Sequence, residues 1–309
     1  MTDKIYEPAE ITPHFYQLGT PSFPTYLSMG EEGMIIEGGT GPTSNIIVNQ
    51  IKTLGVDPRQ IKYIALTHTH SDHIGAVPRL KMLWPHLKVL ASPKAAQLLK
   101  NSKKLEEFLW VDRSIAEIMK AKKEIREIPP TLGHYDFEVD MAVEEGENIK
   151  LGSGILWGVY HTPGHSPCHI ALYEEKEGTL IMGDTTGFYI PERDVFWPNY
   201  FDSLDSYCSS IRRLSTLPAK RGALSHNCVV EGEVGRHFEK ALRATEIYHT
   251  ELLERIGNGE DLGQIALDKA RWVETLTDIL PFSIMHDMCK LLIGRSRAAV
   301  RLDLSTDNG

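Results

Sequence analysis

The sequence predicts an α/β fold in which two strand-rich stretches precede a helical C-terminal region. Three observations carry that expectation. The apolar run Ile61-Lys62-Tyr63-Ile64-Ala65-Leu66 reads as a buried strand, and it passes through a polar loop into a helical stretch near Ile74. A second set of β-rich runs, separated by turn residues, begins near Glu138 and ends at Gly183-Asp184. From about Glu233 the strand signals stop, and Phe238, Ala241, Leu242, Thr245, Tyr248, Leu252 and Ile256 form one stripe at helical spacing.

Taken in order, His14–Leu18, Thr25–Met29 and Gly33–Gly39 alternate like strands between Gly/Pro/Ser clusters and suggest an opening antiparallel meander. Gly38-Gly39-Thr40-Gly41-Pro42 lacks the GxxxxGK[ST] and GxGxxG patterns, so it reads as a turn that lets backbone approach a site. Ser44 to Leu54 has helical spacing at Ile46, Ile47, Ile51 and Leu54. A helix runs on to about Leu83, a strand covers Lys88–Ala91, and Pro93 suits the first turn of another helix. Residues 102–130 form an insert rich in Lys and Glu, with one or two amphipathic helices ending before Pro129-Pro130. Its charges alternate in sign, which marks a solvated face.

Strands are then expected over Glu138–Val143, Asn148–Leu151, Ile155–Tyr160, His169–Tyr173 and Thr179–Met182. A helix at about Ser203–Leu217 precedes the strand Gly222–Leu224. Further helices cover Asp261–Trp272 and roughly Ser283–Leu302, with a frayed tail over 303–309. The expected division is a catalytic domain over 1–232 and a helical cap over 233–309.

Composition excludes several classes of function. Lys and Arg number 33 against 42 Asp and Glu, a net charge of -9, so the chain has no global attraction for nucleic acid or an anionic membrane surface. No run of 18 apolar residues exists and the start lacks an apolar signal core, so neither a membrane span nor a signal peptide is expected. Cys168, Cys208, Cys228 and Cys289 lie far apart with no CxxC, a pattern that fits reduced thiols in the cytoplasm.

The chemistry concentrates in Thr67-His68-Thr69-His70-Ser71-Asp72-His73. With 13 histidines in 309 residues, four metal-type side chains in six positions are not a compositional accident. On an extended backbone His68 and His70 point to one side, and Asp72 and His73 follow once the chain has begun to turn. One loop can therefore serve two metals. Other strands end the same way: Met182 leads to Asp184, Leu224 to His226, and Tyr160 within a few residues to His165. Converging strand ends are how a rigid scaffold builds a multi-ligand site.

With these residues in hand, the chain resembles the metallo-β-lactamase superfamily over about residues 10–232. The signature HxHxDH is present as His68 to His73, and His165, Asp184 and His226 match its later single ligands. The resemblance implies a four-layer αββα sandwich with a dinuclear site between the sheets. It implies that His68, His70 and His165 hold one metal, that Asp72, His73 and His226 hold the other, and that Asp184 bridges them. Two positions depart from the usual pattern: Ser225 stands where Gly commonly precedes the last histidine, and Glu37-Gly38-Gly39 replaces an Asp-Thr-Gly strand end. Within the superfamily the layout is similar to the quinolone signal-response (PqsE-like) thioesterase type, which shares the Glu-Gly-Gly strand end, a helical insert and a C-terminal helical extension.

Five histidines and two carboxylates suit two divalent ions, Zn2+ first, with Fe2+ or Mn2+ as alternatives. Such a pair holds a bridging hydroxide as nucleophile, while Asp72 orients it and moves its proton. A thioester suits this machinery because a thiolate leaves without acid help, so a small acyl substrate, such as a CoA thioester, is expected. An ester or lactone needs a proton donor, for which His134, Tyr189 and His286 are candidates. Tyr189, Phe196, Trp197 and His286 are the candidate substrate-binding residues, with Phe188, Tyr200 and Phe201 in the same aromatic cluster. His161 and His169 are expected to support ligands rather than to be ligands. Lactone opening, phosphodiester cleavage and a regulatory role with secondary hydrolysis are the competing functions, and the helical extension offers a surface for a homodimer.

Overall fold

A computed structural model describes residues 6–135 and 137–299 of the chain; the expected tail at 303–309 lies outside the described residues. The chain opens with an antiparallel meander, β1 (Ala9–Thr12), β2 (Phe15–Gly19), β3 (Pro24–Met29) and β4 (Gly33–Ile36). Helix α1 (Ser44–Thr53) returns the chain so that β5 (Ile61–Ala65) lies parallel to β4. Helices α2 (Ser71–Ile74) and α3 (Val77–Leu83) lead to β6 (Lys88–Ala91), parallel to β5. Then α4 (Pro93–Leu98) and α5 (Ser102–Ala121) precede β7 (Met141–Ala142), which completes a seven-stranded sheet in the order β1 to β7.

The second sheet starts as another meander, β8 (Asn148–Gly152), β9 (Ile155–His161), β10 (Ile170–Glu174) and β11 (Thr179–Gly183). A separate hairpin, β12 (Phe188–Ile190) and β13 (Val195–Trp197), follows. Helix α6 (Leu204–Ser215) returns the chain so that β14 (Arg221–Leu224) lies parallel to β11, and β15 (Val229–Glu231) closes the edge. The strand order is β15-β14-β11-β10-β9-β8. Helices α7 (Val234–Gly257), α8 (Leu262–Glu274) and α9 (Phe282–Ala298) complete the described chain.

The period of two in each strand sorts side chains into three apolar layers. Met34 and Ile36 of β4 face Trp157, Val159, Leu172 and Ile181 across the gap between the sheets. Ile35 and Ile64 point the other way, against Ile47 and Ile51 of α1 and Val77 and Leu80 of α3. On the far side of the second sheet, Tyr173, Leu180 and Met182 pack with Cys208 and Ile211 of α6 and with Phe238 and Leu252 of α7. Three apolar layers require four layers of structure, helix–sheet–sheet–helix, with the C-terminal helices extending the last.

Local signals set the helix starts. Ser92, Ser203 and Asp261 cap α4, α6 and α8 by accepting the N–H of Ala95, Ser206 and Gln264. The expected strand over 138–143 shrinks to two residues because Asp140 accepts the Val89 N–H with its carboxylate at 2.8 Å in place of a backbone rung. The insert contains one helix, α5, among the described residues. The β12–β13 hairpin was not expected, since its strands are only three residues each and their aromatics obscure the alternation.

His237 of α7 is buried against that hairpin, with its ring 5.0 Å from those of Tyr189 and Phe196 and its Nε2 3.1 Å from Thr186 Oγ1. Burial pushes its imidazole down to about 4. The unfolded chain takes up this proton near the ordinary value of about 6.5, so the unfolded state binds more protons in between. Stability is therefore full above pH ~6.5 and falls, by on the order of 2–3 kcal/mol from this group, as pH drops toward ~4. Urea unfolding across that window is expected to be shallower in pH by about one proton in His237→Gln. An identical slope in the variant would refute this account.

Candidate metal centre

Parallel pairing of β4 with β5 and of β11 with β14 puts their C-terminal ends at matching edges of the two sheets. The histidine loop leaves β5, Asp184 leaves β11 and His226 leaves β14. The Thr67 carbonyl accepts the Ile170 N–H at 2.8 Å, which ties the histidine loop of one sheet to β10 of the other.

All seven residues expected from the sequence come together there. His68 Nε2 and His165 Nε2 each lie 3.0 Å from His70 Nδ1. Asp72, His73 and His226 form a second group, with His73 Nε2 and His226 Nε2 3.4 and 3.5 Å from Asp72 Oδ2. Asp184 stands between the groups: its Oδ2 is 3.2 Å from His165 Nε2 and 3.4 Å from His73 Nε2, and its Oδ1 is 3.7 Å from His226 Nε2. The donor atoms of each trio lie within 4.8 Å of one another.

Hydrogen bonding on the outer edge of the rings fixes what points inward. His165 Nδ1–H donates to the Asn199 carbonyl at 2.9 Å, and His226 Nδ1–H to the Ser22 carbonyl at 2.8 Å. Thr67 spends its hydroxyl proton on Glu37 Oε1 at 2.7 Å, so its oxygen accepts His68 Nδ1–H at 3.0 Å. The Nε2 atoms of His68, His165 and His226 are therefore lone pairs aimed into the centre. His73 Nδ1–H donates to Glu37 Oε2 at 3.0 Å, and its buried Nε2 has no hydrogen-bond partner. Lone pairs 3.0 Å apart cannot satisfy each other, whereas a tetrahedral ion with bonds of about 2.0–2.1 Å has ligand edges of roughly 3.3 Å. The residues fit divalent cations.

The electrostatics agree. Burial pushes His70 down to about 3 and His165 to about 4, which keeps both imidazoles neutral and able to ligate. Burial also drives His68 well below its ordinary value, helped by the His73 imidazole. For Asp184 burial favours the neutral acid, but His226, His73 and His165 outweigh it and hold the carboxyl well below the usual range. The same contest at His73 ends in a raised value: burial favours the neutral ring, but Asp72, Glu37 and Asp184 surround it.

Sequence reasoning noted Glu37 and Ser225 as departures and missed their function. Glu37 is buried with a left-handed φ of 70°, a costly backbone for a residue other than glycine. Its carboxylate receives Thr67 and His73 and also the Ser225 hydroxyl at 2.6 Å. His169 supports the centre as expected: its Nε2 accepts the Asp184 N–H at 3.0 Å, and its Nδ1 lies 2.7 Å from Thr162 Oγ1.

A cavity of about 200 Å³ opens on the centre. Trp197 lines it, with Phe188 and Phe201, as do Phe108 and Val111 of α5 and Ile284, Met288 and Leu291 of α9. The other expected substrate residues stand elsewhere. Tyr189 turns away and donates its hydroxyl to Asp194 at 2.9 Å. Phe196 lines a separate open groove of about 560 Å³ against α7 and α8. His286 stacks on Phe282 and is not part of the cavity wall, and His134 is exposed. The alternation of a short hairpin explains the split: β13 sends Trp197 to one side and Phe196 to the other.

Residues 21–226 match the model of the metallo-beta-lactamase superfamily, and the chain belongs to that superfamily. It is 30% identical over 138 residues to the uncharacterized protein YobT of Bacillus subtilis (strain 168), a match covering 45% of this chain and 50% of that one. The chain thus spans about half the length of that relative. It is 24% identical to the probable metallo-hydrolase YqjP of the same organism, over 72% of this chain and 73% of that one. The metallo-beta-lactamase family protein TTHA1429 from Thermus thermophilus shares the fold, with a TM-score of 0.68, 19% identity and coverage of 93% and 94%.

Glu37→Gln is expected to lower metal affinity about 10–100-fold, because the ring orientation of two ligands depends on this carboxylate. Chelator competition on the purified protein measures it. Affinity equal to that of the unmodified protein would remove Glu37 from the support of the centre.

Proposed function

We propose that the chain is a dinuclear metal-dependent hydrolase whose substrates are acyl thioesters with neutral, apolar acyl groups. One observation carries this reading: the cavity over the histidine centre has an apolar wall with no lysine or arginine among its described residues. Away from the metal ions themselves, the remainder of a phosphodiester or a charged acyl group would find no lysine or arginine to pair with and would meet an apolar wall instead. A phosphodiesterase reading is disfavoured for that reason.

A pair of divalent ions held by His68, His70 and His165 and by Asp72, His73 and His226, with Asp184 between them, would supply Lewis acidity and an acidified water. The protein supplies the rest. Phe188, Trp197 and Phe201 hold the acyl group and exclude water from it. Asp72 faces the cavity, and although burial favours its neutral form, the imidazoles of His73 and His226 keep it ionised. An ionised carboxylate that faces the cavity is placed to orient a water by accepting its hydrogen bond. The leaving group decides between substrate classes. None of the three proton donors expected from the sequence, His134, Tyr189 and His286, lines the cavity. An alkoxide would have no dedicated acid, while a thiol of pKa about 8.5 leaves as the thiolate.

The domain reading that accompanies this places catalysis in 1–232 and gives 233–309 the role of a cap that shapes the acyl pocket. The contribution of α9 to the cavity wall supports it. On this reading the layout is similar to that of the quinolone signal-response thioesterase type, and the four free cysteines fit a cytoplasmic setting. No described helix is long and apolar enough to cross a membrane.

The test is metal-dependent release of free thiol from a panel of acyl-CoA and acyl-glutathione thioesters. Apolar acyl groups are expected to turn over, and Asp72→Ala to reduce kcat by about 10²-fold or more. Rapid opening of lactones with no thioester hydrolysed would replace this reading with that of a lactonase.

A further inference from the structure

Two features remain without a role: the Gly38–Pro42 turn, and Asp112 in the middle of α5. They meet. Asp112 Oδ1 accepts the Thr40 hydroxyl at 2.6 Å and the Gly41 N–H at 2.7 Å. The carboxylate fits a notch made by two glycines. A Cβ on Gly75 would lie 2.5 Å from Asp112 Oδ1 and 2.6 Å from the Gly41 nitrogen, and one on Gly41 would collide with Asp112 Oδ2. Thr40 is fully buried, and Gly75 directly follows α2, the short helix that contains Asp72 and His73.

Helix α5 also roofs the cavity. Phe108 and Val111, one turn and one residue before Asp112, line the cavity, whereas Ile115 and Met119 further along are buried in the core of the second half. The Asp112 contacts join the cavity end of α5 to the Gly38–Pro42 turn, and that turn is bonded to the histidine loop by the Gly38 N–H, which donates to the His73 carbonyl at 2.8 Å. We infer that Asp112 is a positioning residue: its bonds to Thr40 and Gly41 latch α5 onto the loop beneath the metal centre and so set the depth of the acyl pocket through Phe108 and Val111.

The pocket part of this inference rests on the hydrolase reading; the latch itself does not. Hydrogen bonds to a carboxylate in such a setting are strong enough to shift an opening equilibrium by roughly ten-fold or more. The experiment compares the full-length protein with Asp112→Ala and Thr40→Val by amide hydrogen exchange and by thioester kinetics. Exchange within α5 is expected to quicken about ten-fold in both variants, with the strands of both sheets unchanged. KM for a thioester with a long apolar acyl chain is expected to rise about ten-fold, with kcat altered less than about three-fold.

Unchanged exchange in α5 overturns the latch, as does a uniform acceleration across helix and sheets, which marks general destabilisation. Faster exchange in α5 with KM unchanged overturns its control of the pocket. If the unmodified protein hydrolyses no thioester, the hydrolase reading fails, and the exchange data still decide whether Asp112 holds α5 on the loop.

Discussion

The centre depends on one buried carboxylate. Glu37 directly follows β4 of the first sheet, receives Thr67 and His73 from the loop after β5, and receives Ser225 just past β14 in the second sheet. A carboxylate away from water is costly unless its oxygens are hydrogen-bonded, and in a low-dielectric setting those bonds are strong. Glu37 thus joins the two sheets at the edge where the ligands converge. It also turns the outer nitrogens of His68, through Thr67, and of His73 into donors, which leaves their inner nitrogens for a cation. Its left-handed backbone is tolerated because its surroundings fix both the chain and the side chain.

The two departures from the usual superfamily pattern are one arrangement. A glutamate in place of aspartate reaches a methylene further, and a serine in place of glycine offers a hydroxyl to what it reaches. The resulting 2.6 Å hydrogen bond spans 188 residues of sequence and adds a contact between the sheets that a glycine cannot make.

Above this polar centre the chain changes character. The cavity wall comes from the insert helix, the β12–β13 hairpin with the loop after it, and α9 with the segment before it, and it is apolar almost throughout. The ligand centre and the wall are linked mechanically. The loop from Asn199 to Phe201 orients His165 through the Asn199 carbonyl, supplies Phe201 to the cavity, and is fastened to α9 by Tyr200 to Ser296 at 2.8 Å and by Arg295 to the Phe201 carbonyl at 2.8 Å. The C-terminal helix therefore buttresses His165 as well as enclosing the cavity.

Much of this was legible in the sequence. Periodicity located most strands and helices because a buried strand or an amphipathic helix repeats its apolar residues at a fixed spacing. His68 to His73, His165, Asp184 and His226 were readable because ligand chemistry is carried by side-chain type, and each sits at or near the end of a recognisable strand. What the sequence by itself determined was thus the layered α/β class and the donor set. Tertiary structure alone decided the partners of Glu37, the separation of Trp197 from Tyr189 and Phe196, and the exclusion of His134 and His286 from the cavity wall. Those depend on contacts between residues tens to hundreds of positions apart, and on which side of a three-residue strand faces the centre, neither of which leaves a local pattern to read.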